Sequence, residues 1–242
     1  MKDKYRVIYQ PRGAALEYSP LALNLYEGCE NRCDYCFVPG VLHKSKEEFH
    51  SHSDPRKQGM LDLVRNDLIE MNGAGDKRPI LLCFTCDPYP KFDSLTRFVL
   101  ELFYEFNHPF QVLTKGGVRA TRDFDLYKPG DAYAATLTCM FSEDSMKREP
   151  GAALPFDRIE SLYKAKKHGI TTWVSFEPVL NPDDVYNLYE ITKDAVDLFK
   201  IGKLNHQASD VDWRAFGLKM IEMCERDRKA YMVKDALAKC LA

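Results

Sequence analysis

The stretch Leu21–Phe37, LALNLYEGCENRCDYCF, decides how the chain is read. Its first part, residues 21–27, is apolar and reads as a strand. Its second part packs Cys29, Cys33 and Cys36 into eight residues with the spacing C-x3-C-x2-C. Three thiolates in so short a loop can wrap an iron–sulfur cube and ligate three of its irons. The fourth iron is then open. An open iron suits the amino and carboxylate groups of S-adenosylmethionine (SAM), whose C–S bond one electron splits to a 5′-deoxyadenosyl radical.

Other uses of the cysteines stand beside this one. Structural zinc takes four ligands, often as paired C-x2-C elements, and here His43, His50 or His52 could supply a fourth. An electron-transfer cluster needs a fourth cysteine, and Cys83, Cys86 and Cys139 are the candidates. Buried, unligated thiols fit poorly with a loop that carries Glu30, Asn31, Arg32 and Asp34.

Outward from the loop, short apolar runs alternate with amphipathic segments. Strands are expected at 80–84, 110–114, 133–139, 171–176 and 197–201. Helices are expected near 59–72, 94–106, from Pro155 to Gly169, over 183–194, and near 211–226 and 230–240. About six βα units of this kind predict an α/β fold, a partial (β/α)6 TIM-like barrel of parallel strands with extra C-terminal helices. One domain is expected over 1–242, its core about 20–205. In parallel barrels chemistry gathers at the carboxyl ends of strands. Those ends carry Cys29–Cys36, Thr85-Cys86-Asp87-Pro88, Thr114-Lys115, Thr138-Cys139, Glu177-Pro178, and Lys203 with Asn205.

The 242 residues are 45% hydrophobic and 29% charged, ordinary for one globular domain. A net charge of −2 makes no global case for a polyanionic partner, although a local basic groove remains compatible with it. No run is long and apolar enough to span a membrane, and the polar N-terminus does not read as a signal peptide. The expectation is a cytoplasmic protein with eight cysteines as thiols or metal ligands.

With this loop after a first strand, the chain resembles the radical SAM superfamily, whose signature is C-x3-C-x-aromatic-C, Tyr35 being the aromatic. Thr85-Cys86-Asp87-Pro88-Tyr89 and Thr114-Lys115, in order after successive strands, resemble the spore photoproduct lyase branch. That branch acts on a thymine dimer in DNA. The resemblance implies a [4Fe–4S] cluster on Cys29, Cys33 and Cys36, SAM as cofactor, and an external reductant of flavodoxin or ferredoxin type. It implies Phe37 near the adenine, Cys86 in contact with SAM, and Lys115 on the SAM carboxylate; a solvated surface lysine is the plainer alternative. Glu177 is a candidate for the ribose or the SAM amine, or else an ordinary ion pair. Asn205 is a candidate for ribose or adenine, or else a turn residue.

Departures from the branch are also expected to matter. Cys86 stands where serine is usual. Phe84 stands where those lyases carry the cysteine that returns a hydrogen atom, which leaves Cys86 or Cys139 as candidate donor thiols, Cys83 reading as a buried small hydrophobe. The substrate is expected to be a nucleobase in nucleic acid or a nucleotide, a peptide or small metabolite being the alternative. A non-catalytic Fe–S or zinc module is the rival from another class.

Overall fold

The computed structural model describes residues 4–92 and 95–242. Seven strands form one sheet with every neighbouring pair parallel: β1 (Leu21–Leu23), β4 (Ile80–Leu82), β5 (Phe110–Thr114), β6 (Ala132–Thr136), β7 (Thr171–Phe176), β8 (Leu198–Ile201) and β9 (Ala230–Val233), in that order. The helices are α1 (Val38–Val41), α2 (Lys46–Phe49), α3 (Met60–Gly73), α4 (Leu95–Glu105), α5 (Ser142–Arg148), α6 (Pro155–Lys167), α7 (Pro182–Thr192), α8 (Trp213–Arg226) and α9 (Asp235–Ala238). This is the α/β architecture expected of a partial parallel barrel.

Alternation along the strands sorts side chains onto two faces. Ile80, Leu82, Val112, Tyr133, Ala135, Val174, Phe176, Phe199 and Ile201 belong to the main core with the helices. There they meet the apolar stripes of α3 (Val64, Leu68, Met71), α6 (Ile159, Leu162) and α7 (Val185, Leu188). Leu81, Ala132, Ala134 and Trp173 form a smaller cluster with Tyr18, Phe84, Leu113 and Leu198.

Four expectations need correction, the first being the strand expected at 133–139, which runs only over Ala132–Thr136. Residues 21–27 are not one strand: β1 ends at Leu23, and β2 (Tyr26–Glu27) pairs antiparallel with β3 (Asp54–Pro55) in a separate ribbon. The break falls at Asn24, whose Oδ1 accepts from the backbone N–H groups of Phe84 and Thr85 (2.8 and 2.9 Å), so the side chain ties β1 to the end of β4. Residues 230–240 are not one helix: Ala230–Val233 pairs with β8 as a seventh strand, and only Asp235–Ala238 is helical. Residues 83 and 84 are not strand, since β4 stops at Leu82. The helix expected over 94–106 runs from Leu95 to Glu105, its expected first residue lying outside the described residues.

The N-terminal segment is fastened to α3 by one carboxylate. Asp67 is fully buried and accepts from the backbone N–H groups of Arg6, Val7 and Ile8 at 2.9, 2.8 and 3.0 Å. Asp67→Ala would orphan three donors, and each buried unsatisfied group costs about 1–3 kcal/mol. Urea unfolding should show a loss of about 3 kcal/mol or more for Asp67→Ala and a smaller one for Asp67→Asn. A loss below about 1 kcal/mol for the alanine variant would contradict this role.

Candidate active site

The cysteine loop is held in place from three sides. Gly28 has φ +78°, and a Cβ there would run into the carbonyl oxygens of Phe49 and His52, so glycine is required where the chain turns into Cys29. Cys29 N–H donates to Phe49 O (2.9 Å), and the Cys29 carbonyl accepts from His50 Nδ1 (2.7 Å). On the second side the segment after α5 runs against the loop. Asp34 N–H donates to Arg148 O (2.9 Å) and Gly151 N–H to Asn31 O (3.0 Å). A Cβ on Gly151 would strike Glu30 O. On the third side Asn31 Nδ2 donates to Asp87 Oδ2 (3.0 Å).

Asp87 is the junction between loop and sheet. Its carboxylate also accepts from Thr114 Oγ1 (2.6 Å), Lys115 N–H (2.7 Å) and Tyr89 N–H (2.8 Å). The Thr-x-Asp-Pro turn and the Thr-Lys pair, adjacent in the sequence argument only by order, are thus one hydrogen-bonded unit under the cysteine loop.

Beneath Tyr35 lies a buried charge network. Glu149 receives hydrogen bonds from Tyr35 Oη, Thr138 Oγ1 (2.8 Å) and Arg158 Nη2 (2.5 Å), and Lys115 Nζ stands 3.7 Å from it. Arg158 also donates to the carbonyls of Ala153 (2.8 Å) and Thr136 (3.1 Å). Burial works against the charge on Glu149, but Arg158 and Lys115 overcome it and hold its pKa down to about 2. Burial opposes the charge on Lys115 too, and the neighbouring Cys33 and Glu149 outweigh it, so its pKa is raised. Lys115 is therefore a partly buried cation at the cavity wall, 5.4 Å above the Tyr35 ring, rather than a solvated surface lysine.

A cavity of about 300 Å³ opens at the carboxyl ends of the strands, at the lower end of the range for small-molecule sites. Cys29, Cys33, Cys36, Phe37, Cys86, Lys115, Glu177 and Asn205 all line it. Cys139 does not; it is buried (3% exposed) behind the wall, where burial and Glu149 push its thiol up to about 11. Cys83 is buried, as expected, and also lines the cavity, where burial and the neighbouring Cys86 raise its pKa.

Phe37 is half exposed at the rim and stacks on His206, ring centroids 4.7 Å apart. Glu177 is not an ordinary surface pair. Its Oε2 accepts from Tyr18 Oη (2.7 Å) and from Lys234 Nζ, and its Oε1 from Asn205 Nδ2 (2.7 Å). Lys234 follows β9, so the last strand contributes a cation to the mouth. Lys200 lies nearby over the Trp173 ring (4.2 Å), and burial together with repulsion from Lys234 lowers its pKa to about 8.

The three thiols suit an iron–sulfur cube. Burial raises the pKa of Cys29 and Cys36 and brings Cys33 to about 11, so a strongly cationic group is what would draw them out as thiolates. Among the described residues no three His, Cys, Asp or Glu side chains converge on a single ion. A cube takes one iron per thiolate and asks for no such convergence.

Sequence reasoning missed Glu149 and Arg158 as parts of the site; it placed Lys234 in a C-terminal helix, either closing the open barrel or on its surface, and the structure puts it after β9 at the cavity. The Glu149 carboxylate contributes stability that is complete above its unfolded pKa, about 4.3, and is lost as pH falls toward 2. Glu149→Gln should lower unfolding stability at neutral pH by about 3 kcal/mol and flatten the acid-unfolding profile between about pH 5 and 2. Adding Arg158→Met should recover part of the loss. Identical acid limbs for the variant and the parent protein would refute the assignment.

The comparisons come from structure and from one relative. No family model matches the chain. An uncharacterised protein of Acidianus two-tailed virus, ORF301, is 29% identical over 178 residues, which make up 68% of this chain and 57% of that protein. Spore photoproduct lyase complexed with dinucleoside spore photoproduct superposes with a TM-score of 0.69 at 14% identity, over 93% of this chain and 79% of that one. Streptococcus suis SuiB bound to S-adenosylmethionine gives 0.67 at 10% identity, over 88% of this chain and 49% of that one. The chain thus spans about half the length of SuiB and little more than half of the viral protein. In its fold the chain is built like the radical SAM enzymes, and it resembles spore photoproduct lyase among them.

Proposed function

We propose that the chain is a radical SAM enzyme that abstracts hydrogen from a substrate C–H bond. The observation that carries this reading is a single cavity lined by the C-x3-C-x2-C thiols together with Phe37, Cys86, Lys115, Glu177 and Asn205. Cys29, Cys33 and Cys36 would hold a [4Fe–4S] cluster and leave one iron for SAM. When bound, the pair supplies a 5′-deoxyadenosyl radical after an electron arrives from a flavodoxin- or ferredoxin-type reductant.

The chain's own residues do the rest. Lys115 offsets the negative charge of the thiolates and of the SAM carboxylate. Glu177 Oε2 is occupied by Tyr18 and Lys234, while Oε1, bonded to Asn205 alone, has acceptor capacity left for a ribose hydroxyl. Asn205, its amide nitrogen spent on Glu177 and Lys203, presents its Oδ1 as acceptor. Phe37 offers an aromatic face to the adenine. Cys86 is the donor thiol favoured over Cys139, because it lines the cavity. Its S–H bond would break as a substrate C–H bond forms, and the thiyl radical left on Cys86 would return to the thiol with one electron from the same external reductant and a proton from solvent.

For the substrate, a nucleobase in nucleic acid or a nucleotide is proposed. Spore photoproduct lyase holds a dinucleoside in one solved complex and SuiB a precursor peptide in another, so a peptide is the competing class.

A second reading has its own observation. Cys86 lines the same cavity as the three loop thiols, and as a fourth ligand it would make an electron-transfer cluster. Anaerobic reconstitution should give about four irons per chain and, with reductant, 5′-deoxyadenosine from SAM. Cys29→Ala should abolish both, whereas Cys86→Ser should retain iron and SAM cleavage. About one zinc and no cleavage would overturn the proposal; loss of the cluster in Cys86→Ser would favour the second reading.

A further inference from the structure

Beside the first cavity lies a second, of about 700 Å³. Lys4, Arg6, Arg12, Arg56 and Lys57 line it, and among the described residues no aspartate or glutamate does. In a chain with net charge −2, five cations around one concavity are a local concentration of charge rather than a sample of the surface. Arg6 is partly neutralised by Asp67 and Glu70, both at 3.3 Å. Arg12, Arg56 and Lys57 have no carboxylate partner among the described residues.

The groove is also built rather than draped. Asp67 clamps the backbone of residues 6–8, and Tyr9 exchanges hydrogen bonds with Ala22 at 3.0 and 2.8 Å. Arg56 N–H donates to Leu25 O (2.9 Å), and its Nη1 donates to Thr85 Oγ1 (3.2 Å). Thr85 lines both cavities. A group seated in the groove would therefore adjoin a group inside the candidate active site.

We infer that this groove is a phosphate subsite for a substrate whose reacting part enters the neighbouring cavity. Three arginines present planar forks matched to phosphate oxygens, and two lysines add point charges. Such contacts fix position and register without reading bases. The role as a substrate subsite rests on the cavity being the reaction site; the groove's affinity for phosphate does not. The phosphate has two sources, a mononucleotide or the phosphodiester backbone of a strand.

The test uses the full chain and a fluorescent oligothymidylate of about ten nucleotides, read by anisotropy across a salt series. Binding should weaken as salt rises. The Arg12→Gln/Arg56→Gln/Lys57→Gln variant should lower the slope of log affinity against log salt by about 2, at about 0.7 per phosphate contact on a single strand. Arg12→Gln/Lys57→Gln, which changes only exposed side chains, should lower it by about 1.4 and guards against misfolding of the triple variant. Competition by thymidine monophosphate or inorganic phosphate at matched ionic strength would support the subsite with a monophosphate as source; resistance to both would support it with a strand. Salt-independent binding, no binding, or an unchanged slope in a double variant of native melting temperature would overturn the inference. Failure of SAM cleavage with oligonucleotide binding intact would strike the proposed reaction and leave the groove's phosphate affinity standing.

Discussion

A buried carboxylate, that of Glu149, is the constraint on which the site depends. It sits in the interior with Arg158 as partner, and both would be expensive there alone. Their pairing is completed by Thr138, Tyr35 and the nearby Lys115, so few polar groups are left wanting. Through Tyr35 the network grips the cysteine loop between its second and third thiols. Through Arg158 it grips the end of β6 at Thr136 and the segment after α5 at Ala153. A loop held this way keeps its thiols still, and a ligand set held still loses little freedom when it binds.

The same logic recurs at the mouth. Asp87 gathers four donors from three segments, and Glu177 gathers Tyr18, Asn205 and Lys234 from three more. Each carboxylate is an acceptor hub at the carboxyl end of a parallel sheet, where strands diverge and side chains rather than ladders must connect them. Cations and thiols then occupy the walls between the hubs. Negative charge is concentrated in three carboxylates that are already partnered, which leaves Lys115 and the thiols facing the open space.

Much of this was legible in the chain. Residues 110–114 and 171–176 were read with the boundaries they have, because apolar alternation there is bounded by glycine and polar breakers. That the cysteine loop, Lys115, Glu177 and Asn205 gather at one cavity was legible because each follows a strand end in a parallel sheet. β9 was not. Ala230–Ala238 is rich in residues that favour helix, and only pairing with Leu198–Ile201 makes its first part a strand. Glu149 and Arg158 were not legible either. A glutamate and an arginine on or beside helices read as solvated by default, and their burial comes from the close pass of Gly151 over the cysteine loop, a contact made across 120 residues of chain. Cys83 is buried as the sequence suggests, but its place at the cavity was not legible, because the expected strand alternation ceases at Leu82.

The proposed chemistry stands or falls on whether a cluster held by the three loop thiols leaves one iron open to SAM. Electron–nuclear double resonance of the reduced, reconstituted protein with SAM labelled with 15N at the methionine amine reads it directly. A hyperfine coupling from the labelled nitrogen is the predicted result. A reduced cluster that shows no coupling to the label at saturating SAM, with every iron held by protein, would contradict it.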